Sequence, residues 1–458
     1  MNEERIAHGA AVDGAFQVIP RAEHGVSRKR ISTGALRVLY RLHESGFRAC
    51  LVGGAVRDLL LGGHPKDFDV ATDATPEQVR ALFRNCRLIG RRFRLAHVVF
   101  GREIVEVATF RGSGDDGNGD RHLVDGRIVR DNVYGTIEED ALRRDFTINA
   151  LYYDIADFSV RDAVGGMADL QRRVLRLIGD PAQRYREDPV RMLRAARFAA
   201  KLGFEIAPET AAPFADLGPL LAEAAPARLF DESLKLFMAG HGLASFRELE
   251  RHGLLGHVFP ETAKALAHDA DGAFRRLVER TFASTDARVR EDKPVTPAFL
   301  FAALLWGPAC RRAQAAIDDG ADAATAWQNA AARVLREQVQ RVAVPRRFTL
   351  VIEEIWAMQP RFAQRTKKRV LRLLGHPRFR AAYDFLMLRA DDSPELAELG
   401  AWWTQAQEAT EVELSETLQA LPPTVDAAVD GAPRKRPRRR RRGRRRGGAA
   451  ATVADAAD

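Results

Sequence analysis

The sequence predicts an α+β region followed by an all-α remainder and a disordered basic tail, and three observations point there. Strand-like runs such as FRACLV, LAHVVFG and REIVEVATF all fall ahead of residue 175. Beyond it, helical segments such as DPVRMLRAARFAAKLG and PARLFDESLKLFMAG alternate to about residue 420. The stretch RKRPRRRRRGRRR, residues 434–446, holds eleven basic residues and no acid, a composition that self-repulsion keeps open.

The elements follow in order. Residues 1–30 are polar, lack apolar periodicity and are expected to be a disordered lead-in. A helix over residues 35–45 has Ser32 or Thr33 as its cap and Gly46 as its stop. FRACLV is a strand; Gly53 and Gly54 turn the chain into the short helix AVRDLLL. The run HPKDFDVAT places Asp67 and Asp69 one residue apart. On a strand, side chains two apart share a face, so both carboxylates project together, about 7 Å apart at Cα. Like charges so placed repel unless a cation sits between them, and a divalent metal is the economical candidate. TPEQVRALF carries Thr75, Pro76 and Gln78 in the arrangement of a capping box. LAHVVFG and REIVEVATF form a hairpin that turns at Gly101 and Arg102, and the mixed region ends near VRDAVGGMADL. Residues 112–127, rich in Gly and Asp, are expected to be a loop, and Pro422 and Pro423 start the exit into the tail.

At 458 residues, 46% hydrophobic and 29% charged, the chain has the composition of a soluble multi-domain protein. MNEERIAHGA lacks the apolar core of a secretory signal, and AFLFAALLW is too short to span a bilayer. Cys50, Cys86 and Cys310 lie far apart without a CxxC pair, which speaks against a disulfide framework or zinc site and fits a reducing cytoplasm. The basic residues of the tail (Arg434, Lys435, Arg436, Arg438, Arg439, Arg440, Arg441, Arg442, Arg444, Arg445 and Arg446) outnumber the net charge of +9, so the rest of the chain is slightly acidic. The tail suits a polyanion. Nucleic acid is the first choice, a solubility tail or membrane-surface anchor the alternatives.

Four pieces carry possible chemistry. In LVGGAVRD the glycines let a phosphate approach the backbone and Arg57 adds a forked contact, although such a turn also occurs simply for tightness. Asp67 and Asp69 either hold a divalent ion against a triphosphate or sit on a solvated edge. Glu106, on the face shared by Ile104 and Ala108, is a further metal ligand or an exposed strand residue. RRDFTINAL is followed by REDPVRMLRAARF, in which Asp188 caps a helix and Pro189 begins it. Arg191, Arg194 and Arg197 then form a basic stripe that either meets a ligand or pairs with Glu187 and Asp188.

Taken in order, LVGGAVRD, KDFDVAT, RRDFTINALYYD, VGGMADL and REDPVRMLRAARFAAKLGF resemble the class II tRNA nucleotidyltransferase/poly(A) polymerase family of the DNA polymerase β superfamily. GRRFRLAHVVFG, HPRFRAAYDFLMLRA and the Arg-rich end resemble its bacterial poly(A) polymerase branch. The resemblance implies a polymerase-β-like nucleotidyltransferase head over residues 31–175, a helical neck over 176–290, a helical RNA-binding body over 291–425 and a disordered tail over 426–458. It implies Asp67, Asp69 and Asp145 as catalytic acids, with Asp67 and Asp69 on the metal and either Glu106 or Asp145 as the third acid. Gly53, Gly54, Arg57, Arg143 and Arg144 would hold ATP by its phosphates and ribose. Glu187, Asp188 and Arg191, with Arg194 behind them, would read the base in place of a template. The implied activity is Mg²⁺- or Mn²⁺-dependent addition of AMP from ATP to RNA 3′ ends, in the cytoplasm, linked to RNA turnover and possible RNA-decay partners, with no membrane. A CCA-adding enzyme is the nearest rival reading; a non-catalytic RNA-binding adapter is the rival of another class.

Overall fold

Ser32 opens the first helix as its sequence requires: its hydroxyl accepts from the backbone N–H of Ala35, and α1 runs over Thr33–Glu44. The computed structural model describes residues 16–90, 94–112, 121–124, 127–131 and 133–419. The basic block at 434–446 therefore lies outside the described residues.

The N-terminal part is built on one eight-stranded sheet. Its strands are β1 (Gln17–Ile19), β2 (Ala49–Val52), β3 (Asp69–Thr72), β4 (Cys86–Ile89), β5 (Leu95–Phe100), β6 (Glu103–Thr109), β9 (Leu151–Asp154) and β10 (Val160–Asp162). A separate hairpin of β7 (Arg121–Val124) and β8 (Arg127–Asp131) falls between β6 and β9. The spatial order is β1-β10-β9-β2-β3-β6-β5-β4, with β3 and β6 parallel and the other neighbours antiparallel. The β5–β6 hairpin pairs Phe100 with Glu103, so Gly101 and Arg102 make the turn as expected. Alternation gives the sheet two apolar faces. Leu51, Val70, Val107 and Tyr153 pack with Val38, Leu39 and Leu42 of α1. Cys50, Val52, Ala71 and Tyr152 pack on the other face with Phe110 and Ala141.

Short helices connect these strands: α2 (Gly54–Leu60), α3 (Pro76–Leu82), α4 (Ile137–Arg143) and α5 (Gly166–Arg172). The capping box of α3 is present in full, Thr75 and Gln78 each accepting from the other's backbone N–H. A second one, Thr136 with Glu139, starts α4.

Two expectations need correction. The lead-in does not stay unstructured to residue 30. Residues 17–19 add a strand to the sheet edge, and Ile19, Val26 and Ile31 are buried. A three-residue edge strand is too short to show a period, so its signal is one buried apolar residue at a time. The stretch at 112–127 is likewise not all loop, since β7 lies within it and pairs with β8.

After α6 (Pro181–Glu187) and α7 (Val190–Leu202) the described chain is helical, apart from Glu205–Ile206, which pairs with Val174–Leu175. Large aromatics fill that region: Phe237, Phe246, Phe259, Phe282 and Trp356 are buried, and the Trp356 indole N–H donates to the Ala302 carbonyl at 3.1 Å. No helix among the described residues is long and apolar enough to cross a membrane.

Candidate active site

The ladder brings the acids together. Asp69, first residue of β3, stands opposite Val52 at the end of β2 and beside Glu106 of β6. Cross-strand partners share a face, so these two carboxylates are neighbours. Asp67 precedes the strand, but both it and Asp69 are exposed around the buried Phe68 and Val70. The alternation thus starts before the ladder does. Exposed as the residue is, the protein packed around its carboxyl still costs it hydration; that desolvation, then the Glu106 charge, pushes the Asp69 carboxyl up to about 6, while Arg144 offsets part of this and Asp67 adds to it. Beyond Glu106 lies His97, whose Nε2 is 3.2 Å from Glu106 Oε1 without the alignment of a hydrogen bond.

Among the described residues no three acidic, His or Cys side chains stand close enough to enclose a metal ion. The mutual repulsion at Asp69 is the electrostatic demand that such an ion meets.

The glycine turn lies at the end of β2. Gly53 has φ 70° and ψ −136°, a conformation that side chains rarely adopt. A Cβ there would stand 3.5 Å from Arg144 Nη1, and one on Gly54 would stand 3.4 Å from Arg57 Nη2. Two guanidinium groups therefore flank the turn. Of the two, Arg144 is held by side chains of the head and Arg57 is buried. Arg57 is 2% exposed, its Nε and Nη2 donate to Asp58 Oδ1 at 2.8 and 2.6 Å, and its Nη1 donates to Asn149 Oδ1 at 2.5 Å. The fork assigned to a triphosphate is spent on protein partners, and the expectation for Arg57 is corrected: it braces the turn from beneath.

The RRD segment divides three ways. Arg143 donates to the Gly112 carbonyl. Arg144 donates to Asp140 Oδ2 at 3.1 and 3.0 Å and to the Tyr152 hydroxyl at 2.8 Å, and that hydroxyl donates on to Asp140 at 2.6 Å. Asp145 turns away toward α7. Its Oδ1 accepts from Phe146 N at 2.8 Å and Asn149 Nδ2 at 3.1 Å, and its Oδ2 accepts from Arg194 Nε at 2.9 Å. Burial opposes its charge, but the Arg194 guanidinium and these bonds outweigh it and hold the carboxyl down at about 2.

Helices α6 and α7 present the remaining candidates. Arg184 donates to the carbonyls of Arg143 and Arg144 at 2.8 and 2.6 Å, so α6 is pinned to the RRD segment. Glu187 accepts from Arg184 Nη1 at 3.1 Å and Arg191 Nη1 at 3.0 Å. Asp188 sits at the α6–α7 joint in extended backbone just before the helical Pro189; its Oδ1 accepts from Val190 N at 3.3 Å, as a cap does, and its carboxylate accepts both guanidinium nitrogens of Arg228 at 3.0 and 2.9 Å. The basic stripe resolves into three separate pairs: Arg191 with Glu187, Arg194 with Asp145, and Arg197 with Glu232 at 2.6 Å.

Sequence reasoning missed Asp140, Asn149, Tyr152, Arg184 and Arg228. The Asp140–Arg144 pair has a readable signal, since i,i+4 spacing across the end of a capped helix favours it. Arg228 has none, because only the fold brings it to Asp188.

Comparison with known proteins bears on the whole chain. Three family models match: "Poly A polymerase head domain" over residues 49–176, "Probable RNA and SrmB-binding site of polymerase A" over 203–266, and "Polymerase A arginine-rich C-terminus" over 319–446. The chain is 52% identical to the poly(A) polymerase I of Salmonella typhi over 412 residues, which covers 88% of this chain and 89% of that one. The chain belongs to the poly(A) polymerase family. It is a nucleotidyltransferase whose head carries Asp67, Asp69, Glu106 and the RRD segment inside the matched region. A CCA-adding enzyme of Bacillus pumilus is 43% identical over 180 residues, 39% of this chain and 43% of that one. In fold, the CCA-adding enzyme of Bacillus stearothermophilus in complex with CTP superposes with a TM-score of 0.54 at 26% identity, over 80% of this chain and 82% of that one. The CCA-adding sequence likeness is thus partial where the poly(A) polymerase likeness runs nearly end to end.

Proposed function

We propose that the chain transfers AMP from ATP to the 3′ hydroxyl of RNA, releasing pyrophosphate, and that Asp67 and Asp69 are the residues that would hold Mg²⁺ or Mn²⁺ for it. The observation that carries this reading is the ladder register that sets Asp69 beside Glu106, next to the Gly53 turn. The chemistry a divalent ion would supply at these acids is neutralisation of phosphate charge and a lower pKa for the attacking hydroxyl. The residues do the rest. The Gly53–Gly54 backbone leaves room for phosphate oxygens, and Arg144, fixed by Asp140 and Tyr152, offers a cation whose aim costs no reorganisation at the moment of reaction. Glu106 serves as the third acid; Asp145, with both oxygens engaged, serves as a positioning residue that ties the RRD segment to α7.

Base choice falls to the α6–α7 joint. Glu187 with Arg191 and Asp188 with Arg228 combine carboxylate acceptors and guanidinium donors on rigid helices, which is what a protein needs to read a base edge without a template. The head, neck, body and tail divide near residues 175, 290 and 425. The three free cysteines fit a reducing cytoplasm, where adenylated RNA is turned over with the help of RNA-decay proteins. Incubating the purified chain with each labelled NTP and a generic RNA tests the reading. Long homogeneous A tracts are expected; three nucleotides ending in CCA, added to tRNA alone, would replace it with the CCA-adding reading, and no incorporation in Mg²⁺ would leave the adapter.

A further inference from the structure

The segment over residues 20–30 and the outer face of α1 enclose features that AMP transfer does not use. Between them lies a cavity of about 570 Å³, lined by Arg21, Arg28, Lys29, Tyr40 and Tyr153 among others. Tyr153 belongs to the α1 face of the sheet, and Tyr152 and the acids to the other, so the cavity lies behind the catalytic face. The guanidinium of Arg28 is 4.3 Å from the Phe158 ring centre and donates to the Tyr40 hydroxyl at 2.6 Å; that of Arg21 is 5.6 Å from the same ring. Arg21, Arg28 and Lys29 form no ion pair among the described residues. Their acidic neighbours are Glu23, on the same short turn, and Asp157, which is engaged by Ser159 and Arg161.

A second depression, lined by Leu36, Arg37, Tyr40, Arg41, Glu44, Phe83 and Phe100 among others, shares Leu36 and Tyr40 with the first. The two form one trough along α1. Arg30, next in the chain after Lys29, donates from Nη1 to the Gly62 carbonyl at 3.4 Å, and Gly62 begins the loop that leads to Lys66 and Asp67. Five cations stand beside the half-buried rings of Tyr40, Phe100 and Phe158, with Glu23 and Glu44 as the acids nearby, and cations beside accessible rings are the composition that tracks a phosphodiester backbone while bases stack. A free nucleotide would need one cation cluster, not a row of them.

We propose that this trough is an RNA-binding exosite on the back of the head, which holds single-stranded RNA upstream of the 3′ end. The proposal rests on the RNA 3′-end reading above. Lys29, Arg37 and Arg41 are exposed and remote from the catalytic residues, so the triple variant K29E/R37E/R41E is expected to fold and to keep the wild-type kcat on a short oligo(A) primer. Binding of a long fluorescent oligo(A) to the full-length protein should weaken at least tenfold, and the slope of log K against log salt should shallow by about 2, as loss of three phosphate contacts on a single strand dictates. A second variant, Tyr40→Leu, keeps every charge: it should weaken the long oligonucleotide while leaving the salt slope unchanged. Equal affinity and slope for wild type and triple variant would overturn the exosite, as would polyglutamate competing as well as oligo(A). If the wild type binds long RNA but extends none, the function reading fails and the binding result still judges the trough.

Discussion

Asp69 and Asp145 are both acids of the resembled motif, and their surroundings set opposite outcomes for their loss. Asp69 is crowded by Glu106 and Asp67, so its charge opposes folding at neutral pH. D69A should therefore lower adenylation by about a thousandfold or more while leaving the melting temperature unchanged or raised. Addition of Mg²⁺ should stabilise the wild type through binding to the folded state, and D69A should lose that rise. A melting scan with and without Mg²⁺ reads both, and an equal rise in the two proteins would remove Asp69 from the metal. Asp145 behaves the other way. Its carboxyl titrates at about 2 in the fold against an ordinary 3.8, so its contribution is complete above 3.8 and is lost as pH falls through about 2. With its side chain 14% exposed, that contribution is about 2 kcal/mol. D145N should destabilise by about 2–4 kcal/mol at neutral pH by stranding Arg194, and its stability should fall less steeply than the wild type's between pH 3.8 and about 2. Denaturant melts across that range measure it. The Asp67–Asp69 pair was legible because strand alternation is local. The grips of Arg57 on Asn149 and of Asp145 on Arg194 were not, since those partners lie 92 and 49 residues away.

Single glycines and single joints decide the work of the elements that carry these residues. Gly53→Ala forces a side chain into a backbone region that costs about 1–3 kcal/mol, and its methyl lands 3.5 Å from Arg144 Nη1. Gly54→Ala meets Arg57 at a similar distance without a positive φ, so it is the milder change. Steady-state kinetics should show KM for ATP rising several-fold more in G53A than in G54A, with KM for RNA moving little in either. The joint between α6 and α7 gives a second contrast. Arg228→Ala releases Asp188 from a two-point grip, and the ratio of AMP to CMP incorporation from mixed NTPs should fall while total turnover changes less. An unaltered ratio would take base choice away from Asp188. Element boundaries were readable at Ser32 and Thr75, where a side chain caps the helix locally, and at the Gly101 turn, but the Thr136 cap of α4 was missed. They were unreadable at β1, whose three residues find their order only by pairing with β10.

Over the whole molecule, the sequence separates a sheet-bearing head from a helical remainder because strand periodicity stops near residue 175 and helical periodicity takes over. What it could not place was the charge: the tail's arginines dominate the composition, yet the folded part holds cations of its own along α1. These two basic regions should divide RNA binding. Deleting residues 431–458 removes eleven positive charges but no described element, so AMP addition to short primers should persist at the wild-type rate. RNA affinity should drop, and its salt dependence should flatten. If the tail neutralises about five phosphates of a single strand, log K for the full chain should carry an extra slope of about −3.5 against log salt relative to the truncated one. The truncated chain should retain a smaller residual slope, because the α1 trough remains. Fluorescence anisotropy over a salt series, on full-length and truncated protein side by side, measures both slopes. Identical slopes would strip the tail of its role; a truncated chain with no slope at all would instead leave the whole electrostatic grip on RNA to the tail.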